Sequence, residues 1–268
     1  MKRISVLLLL IVSLLSLTAC QKSGDEDDNG PFKGMTAKQL YTESKSALAK
    51  EQYASAVKRL EALESMYPFS NYAENAQMDL IYAYYKNEEY PSAAATAERF
   101  THLYPRSKRV DYAYYMKALS NFQQVRGVLA NVLPIDESWR DTGTQAQSYA
   151  DFSLVVQRFP DSPYKPDALQ RMIYLRNIFA QRELNTANYY FERKMYVAAA
   201  ERASYLVKNY PQATSARTAL ELLYRANMAM GLTQAAADAQ TVYEATYHSK
   251  LTDSRAPQKS GFFARLRS

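Results

Sequence analysis

The chain of 268 residues has little cysteine, histidine or glycine, and these shortages exclude several classes of protein. Its single cysteine, Cys20, cannot form a disulfide within the chain. The two histidines, His102 and His248, lie far apart and are too few for a zinc site, which needs three or four converging ligands. We therefore expect no metal and no other cofactor. With 7 glycines the chain is also unlike a glycine-rich nucleotide-binding protein. Scarce glycine favours helix, because glycine lowers helix stability.

Catalytic motifs are missing as well. The sequence has no Gly-rich phosphate loop, no HExxH and no GxSxG. Acid pairs such as Glu88-Glu89 are adjacent, and adjacent helix residues do not face a common site. The net charge of +6 could indicate nucleic-acid binding. However, Lys2 and Arg3 precede an apolar run, and five more basic residues lie between 250 and 268. We therefore expect neither an enzyme nor a nucleic-acid-binding protein.

The first twenty residues have the features of a lipoprotein export signal. Met1-Lys2-Arg3 is a short positive start, and the 14 residues Ile4–Leu17 carry no charge. This run is too short for a transmembrane helix but suits a secretory signal. Leu17-Thr18-Ala19-Cys20 resembles a bacterial lipobox. That resemblance implies a signal peptide over 1–19 and a Cys20 carrying an S-diacylglyceryl group and an N-acyl chain, which together anchor stably.

The residue after the cysteine bears on location. Gln21 is similar to outer-membrane lipoproteins, whereas Asp at this place favours retention in the inner membrane. We therefore expect a lipid-anchored protein on the periplasmic face of the outer membrane of a Gram-negative bacterium. Residues 20–34 are mostly polar, with four acids from Asp25 to Asp28, and we predict a flexible tether there.

An aromatic-Pro pair recurs four times and indicates an internal repeat. Each Pro follows a small residue by twelve positions and precedes an Ala by eight, and a Ser or Ala comes two positions after it. We predict that Pro ends one helix, that this Ser caps the next, and that the small residues allow close helix packing. The pairs are Tyr67-Pro68, Tyr104-Pro105, Phe159-Pro160 and Tyr210-Pro211.

A second pattern has spacings of six and three and crosses the turn within each repeat. It occurs as Ala47-Tyr53-Ala56, Tyr84-Tyr90-Ala93, Tyr190-Tyr196-Ala199 and Ala226-Leu232-Ala235. Together the patterns resemble the tetratricopeptide (TPR) repeat, a helix–turn–helix unit of 34 residues. We predict an all-α α-solenoid of about five TPR repeats, the last lacking its Pro. Extra residues at 121–144 predict a loop, and those at 176–193 predict a lengthened helix.

A more specific resemblance lies in the segment YPFSNYAENAQMDLIYAYYKNEEYPSAAATAERFTHLYP and in DYAYYMKAL, which begin at Tyr67 and Asp111. Together with Arg158-Phe159-Pro160-Asp161 and the run from Glu183 to Arg202, these segments resemble the BamD family of the outer-membrane β-barrel assembly (BAM) machinery. The resemblance spans Cys20 to about Tyr247. The basic tail over 248–268 matches no motif of that family, and we expect it to be disordered.

The resemblance implies a non-catalytic scaffold that supports assembly and insertion of β-barrel proteins. Its partners would be the POTRA domain of a BamA-like insertase, BamC- and BamE-like lipoproteins, and unfolded outer-membrane proteins. The N-terminal repeats, 35–160, would form a substrate groove that receives the β-signal. The C-terminal repeats, 161–247, would bind the insertase and partners. We predict the insertase contact at Tyr189, Arg193 and Arg202, and the groove at Asp79, Tyr82 and Tyr85.

Alternatives stay open for the residues and for the function. Tyr82 and Tyr85 could instead pack in the interior, and each Arg could be an ordinary surface residue. Another TPR outer-membrane lipoprotein, such as a pilus-secretin assembly factor or a protease adaptor, would share the lipobox and the helices. A cell-wall enzyme on a helical scaffold would need a catalytic domain, for which no span remains.

Overall fold

The computed structural model describes residues 30–126 and 143–251, and these ranges contain helices and turns but no strand. A 3-10 turn at Gly30–Phe32 precedes ten α-helices. They are α1 (Ala37–Ala49), α2 (Tyr53–Met66), α3 (Ala73–Lys86), α4 (Tyr90–Leu103), α5 (Val110–Arg126), α6 (Gly143–Arg158), α7 (Lys165–Glu192), α8 (Tyr196–Asn209), α9 (Ala216–Ala229) and α10 (Thr233–Tyr247). Cys20, the predicted signal peptide, most of the tether and the tail beyond Leu251 lie outside the described residues.

The ten described helices form five pairs. Three residues connect the partners in α1–α2, α3–α4, α7–α8 and α9–α10, and so short a connection makes two packed helices antiparallel. The predicted all-α class with about five TPR repeats is confirmed. The chain divides into two compact units, Met1–Met116 and Lys117–Ser268, with the division inside α5. The predicted functional boundary between 160 and 161 is a different division and stays a prediction.

Small residues occupy the positions where helices pack most closely. The four small residues before the Pro markers, Ala56, Ala93, Ser148 and Ala199, are each 0% exposed. The four alanines after the markers are at most 2% exposed: Ala76, Ala113, Ala168 and Ala219. A side chain of one or two heavy atoms lets two helix backbones approach, and larger side chains such as Leu60 and Leu206 fill the space beside them. The predicted packing role of these positions is confirmed.

The helices after the Pro markers do not start where the sequence predicted. Ser70, Ser107 and Ser162 were expected to cap them, but α3 and α7 begin three residues later, at Ala73 and Lys165. Each Ser lies in a double turn instead. The Ser70 N–H donates to Tyr67 C=O at 3.1 Å, and the Ser70 C=O accepts from Ala73 N–H at 3.0 Å. The N-cap prediction is wrong because this double turn, with Ser at its centre, comes between the Pro and the helix.

The three-residue turns within the pairs share one backbone shape. Their middle residues, Glu51, Glu88, Lys194 and Gly231, have φ values of 57°, 64°, 63° and 75°. The next residue donates its N–H to the carbonyl five residues earlier, as in Gln52 to Ala47 and Leu232 to Asn227, both at 2.9 Å. The hydrogen bond in the last turn shows that the second pattern was placed one residue too early there. The residues equivalent to Ala47, Tyr53 and Ala56 are Asn227, Thr233 and Ala236, not Ala226, Leu232 and Ala235.

The two predicted insertions have different outcomes. The lengthened helix over 176–193 is confirmed, because α7 runs for 28 residues, about 42 Å at 1.5 Å per residue. The loop predicted over 121–144 is wrong at both ends, since 121–126 belong to α5 and 143–144 to α6. The remainder, 127–142, lies outside the described residues.

One buried charge joins α5 to α6. The Asp151 carboxylate is 2% exposed and accepts hydrogen bonds from Asn121 Nδ2 at 2.8 Å and from Gln147 Nε2 at 3.1 Å. The Lys117 ammonium lies 3.5 Å from the same carboxylate. Two hydrogen bonds and a cation compensate for the loss of water around this carboxylate.

The left-handed turns give a prediction about stability. Lys194 is exposed at φ 63°, and a side chain in this region costs roughly 1 kcal/mol relative to glycine. We expect Lys194→Gly to raise the free energy of unfolding by about 0.5–1 kcal/mol, measured by urea denaturation. Lys194→Ala is the control, because it removes the same side chain but keeps the Cβ, and it should give no gain. Gly231→Ala should destabilise by a similar amount. A stabilising Lys194→Ala would contradict the explanation.

Candidate functional site

Three tyrosines near the end of α3 have different environments. Tyr84 is buried, and its hydroxyl donates to the Glu61 carboxylate. Burial, followed by this hydrogen bond and the Glu61 charge, raises the pKa of Tyr84 above its ordinary value. Tyr82 is 39% exposed, and Tyr85 is half-buried. Tyr84 thus provides the interior packing, and Tyr82 lies on the surface.

The aromatic neighbours of Tyr82 and Tyr85 lie at the ends of other helices. The Tyr82 ring meets the Tyr53 ring edge-on with centroids 6.3 Å apart, and the Lys86 ammonium lies 5.5 Å from the Tyr53 centroid. Tyr85 meets Tyr90 edge-on at 5.5 Å and packs against the core of the first unit. Of the two predicted tyrosines, Tyr82 is therefore accessible to a ligand, and Tyr85 mainly supports the core.

Asp79, the third predicted groove residue, lies in a charged part of the same helix face. Its Oδ1 accepts from the Lys45 ammonium on α1 at 3.0 Å. Burial raises the pKa of Tyr41, and the Asp79 charge and a hydrogen bond to Asp79 raise it further. The Tyr41 ring packs against Tyr72 with centroids 5.1 Å apart. We call Asp79, Tyr82 and Tyr85, with their neighbours Tyr41, Lys45, Tyr53 and Lys86, the α3 surface.

A second exposed surface lies in the other unit, where α7 turns into α8. Tyr189 is 46% exposed, and the Arg193 guanidinium stacks over its ring at 3.9 Å from the centroid. Arg193 also hydrogen-bonds to the Tyr189 hydroxyl, and Tyr190 packs edge-on against Tyr189 at 5.6 Å. The structure therefore brings two of the three predicted insertase contacts together. The stacking on the Tyr189 ring holds the cation in place.

Arg202, the third predicted contact, lies six residues after the start of α8 and pairs with α7. Its Nη1 donates to Glu183 Oε2 at 3.2 Å. The Arg202 side chain is about half exposed, whereas that of Glu183 is largely buried. The structure thus gives Arg202 an intramolecular partner, which positions its guanidinium and leaves its other N–H groups available.

Sequence reasoning missed two apolar residues at this turn. Met195 and Val197 are 51% and 63% exposed. A signal was available in the repeat itself, because the places equivalent to Met195 are polar in the first two pairs, Gln52 and Glu89. We define Tyr189, Arg193, Met195, Val197 and the Glu183–Arg202 pair as the α7–α8 surface.

A shallow cleft of about 410 Å³ lies between α8 and α9. It is lined by Ala200, Glu201, Ser204, Tyr205, Lys208 and Leu223. Residues 201, 204, 205 and 208 share one face of α8, so this helix presents both charge signs around an aromatic ring. The α8 residues that line this cleft, from Ala200 to Lys208, are accessible and lie after the turn that joins α8 to α7.

The described residues contain no cluster of three or more His, Cys, Asp or Glu side chains that could hold a metal ion. None of the described helices combines the length and the apolar character needed to cross a membrane.

Comparison with known proteins identifies the family. A family model described as outer membrane lipoprotein (YfiO) matches residues 33–242. The chain is 40% identical over 225 residues to the outer membrane protein assembly factor BamD of Vibrio cholerae, a match covering 84% of this chain and 91% of the relative. The chain belongs to the BamD family. BamD proteins of Neisseria meningitidis serogroup A and Haemophilus influenzae are 36% and 33% identical to it, over 90% and 91% of this chain and 91% of each relative.

The family match covers both surfaces of this BamD-family chain. The span 33–242 includes α1 to α9 completely and most of α10. It begins after Cys20 and ends before the basic tail. The resemblance predicted from the sequence is confirmed for the folded body, and the roles of the individual site residues stay predictions.

The environments of Tyr82 and Tyr84 give a prediction that separates surface from core. Tyr84→Ala should destabilise this BamD-family protein by about 3–5 kcal/mol, because it removes a buried aromatic side chain. Tyr82→Ala removes a side chain that is 39% exposed and should cost less than about 1.5 kcal/mol. Thermal unfolding followed by circular dichroism measures both. Equal losses from the two substitutions would place Tyr82 in the core.

Proposed function

We propose that the protein is a non-catalytic scaffold subunit of the outer-membrane β-barrel assembly complex. The observation that carries this proposal is its similarity, over 84% of the chain, to a protein named outer membrane protein assembly factor BamD. In this role it supports the assembly and insertion of β-barrel proteins. Its partners are a BamA-like insertase, BamC- and BamE-like lipoproteins and unfolded outer-membrane proteins. The relatives' names favour this role over that of a pilus-secretin assembly factor or protease adaptor.

The same proposal places the protein on the periplasmic face of the outer membrane. Cys20 is the mature N-terminus and carries the S-diacylglyceryl and N-acyl chains. The support is the lipobox and the family description as a lipoprotein.

The α7–α8 surface has the composition of a protein interface. Interface cores are enriched in aromatic residues, Met and Arg, and here Tyr189, Arg193, Met195 and Val197 are all exposed around one turn. The guanidinium of Arg193 is already ordered by the Tyr189 ring, so less side-chain entropy is lost on binding. We assign the POTRA domain of the insertase to this surface. A carboxylate on that domain would pair with Arg193.

Pull-down of the insertase tests this assignment. Tagged protein is recovered from detergent-solubilised envelope, and we expect a large POTRA-bearing barrel protein to co-purify. Arg193→Glu and Arg202→Glu should each reduce its recovery at least about tenfold, because breaking a buried charge pair costs roughly 2–5 kcal/mol.

Arg99→Glu is the matched control for Arg202→Glu. Arg99 is also half-exposed and also donates to a largely buried acid, Glu64, at 2.8 Å, but it lies on α4. Its substitution should leave the recovery unchanged. Full recovery with both Arg193→Glu and Arg202→Glu would reject the assignment, and no barrel protein with the unaltered chain would reject the proposed function.

The α3 surface suits an extended peptide. It exposes aromatic faces at Tyr82 and Tyr53, a cation at Lys86 and the ion pair of Asp79 with Lys45. An unfolded barrel strand has free amide groups and a terminal aromatic residue, which such a surface can contact. We assign the β-signal of unfolded substrates to it.

Crosslinking to a β-signal peptide tests this second assignment. Photo-crosslinking of the peptide should fall several-fold in Tyr82→Ala, while the melting temperature stays close to that of the unaltered protein. Tyr205→Ala is the control, because Tyr205 is 48% exposed but lies on α8. A peptide that crosslinks only to residues 161–247 would refute the groove.

A further inference from the structure

Phe69 is the most exposed large hydrophobic side chain among the described residues, at 98%. It lies in the turn between α2 and α3, directly after Pro68. The same place in the three later turns holds polar residues that are also exposed: Arg106, Asp161 and Gln212. Because all four turns share one backbone hydrogen-bond pattern, the repeat itself does not require an apolar residue here. The Phe69 ring is therefore available for a contact outside the described residues.

The start of the described chain is fixed beside this turn. The Tyr67 hydroxyl donates to the Met35 carbonyl at 2.7 Å. Phe32 and Met35 are half-buried and pack against the same core cluster as Tyr67. The Arg59 guanidinium lies over the Phe32 ring, 5.8 Å from its centroid. The last residues of the tether are thus attached beside the turn that follows α2, and Phe69 lies in that same turn.

The length of chain before this point limits its distance from the lipid anchor. Nine residues lie between Cys20 and Gly30, and the ten residue-to-residue steps that link the two span at most about 33–36 Å when fully extended. We propose that Phe69 is a membrane contact, inserting its ring into the boundary between headgroups and acyl chains of the leaflet that holds the anchor. This inference rests on the proposed lipid anchor at Cys20.

The chemistry of the turn and tether specifies the lipid surface. The Phe69 side chain carries no charge, so its insertion depends on apolar area. Asp25, Glu26, Asp27 and Asp28 lie between the anchor and the turn and disfavour a strongly anionic surface. A zwitterionic phospholipid therefore fits best, and the contact should change little with salt. One phenyl ring binds membranes weakly alone, but the tether makes its insertion intramolecular.

The single cysteine and the single tryptophan allow a direct test. The chain from Cys20 onward is coupled through the Cys20 thiol to maleimide-bearing phospholipid in phosphatidylcholine vesicles. Trp139→Phe removes the natural fluorophore, and Phe69→Trp introduces the reporter. Lys50→Trp is the control reporter. Lys50 is exposed and follows the last residue of α1, whereas the Phe69 turn lies beside the first residues of that helix. The length of α1, 13 residues, separates the two ends by about 20 Å. Circular dichroism confirms that both variants fold.

Vesicles with bromine on the upper acyl chains report insertion, because interfacial residues lie roughly 5–10 Å into this region. We expect the Phe69→Trp emission to shift to shorter wavelength and to fall to about half in brominated vesicles, with the same result in 0.5 M salt. The Lys50→Trp emission should not change. Equal quenching of both reporters, or of neither, overturns the proposal. A shift seen only after a β-signal peptide or POTRA domain is added assigns Phe69 to a protein partner and also overturns it.

The natural anchor is tested separately by mass spectrometry of the mature N-terminal peptide. An acylated Cys20 supports the anchor of the proposed function, and Cys20→Ser should leave the chain unprocessed or mislocalised. An unmodified Cys20 would reject that anchor. Because the vesicle experiment attaches the lipid chemically, its result on Phe69 depends only on the geometry of the turn and the tether.

Discussion

The close approach of helix backbones at small residues is the constraint on which the rest of the structure depends. Ala56, Ala93, Ser148 and Ala199 are fully buried where the second helix of a pair meets its neighbours. A larger side chain at any of these places would separate the helices and expose the leucines packed beside them. The three-residue turns and the double turns hold the helices in the register that brings these small residues into contact. The two surfaces follow from that register, because it decides which side chains remain outside.

The sequence predicted the helices well and their first residues less well. Each Pro marks the end of a helix, the scarcity of Gly favours helix, and the recurring Ala marks positions where helices pack. These signals made the helix pairs and the long α7 predictable. The cap at Ser70 was wrong because a Ser within a double turn looks, in one dimension, like a Ser before a helix. The one-residue error at Ala235 arose because Ala236 is its neighbour and either could be the buried member of the pattern.

The candidate surfaces were only partly predictable, because the direction of a side chain depends on what packs around its helix. The spacing of Tyr82, Tyr84 and Tyr85 predicts that at least one of these side chains points away from the core. Only the structure shows that Tyr82 is exposed and Tyr84 is buried. The family resemblance points to Arg193 as an insertase contact. It does not predict that Arg193 stacks on Tyr189, because this contact depends on how α7 ends. Met195 and Phe69 differ from the polar residues at equivalent places in other turns. That difference can be recognised only after the boundaries of the repeats are known.

The buried carboxylate of Asp151 distinguishes one helix pair, because no other charged residue among the described ones is buried. Repeats made of alanine and leucine resemble one another, so a chain that folds by adding neighbouring units can join the wrong ones. The carboxylate loses two of its partners, Asn121 and Lys117, if a helix other than α5 packs against α6, so a mismatched neighbour leaves a buried charge uncompensated. The ion pair therefore favours the packing of α6 against α5 over its packing against any other helix of the chain.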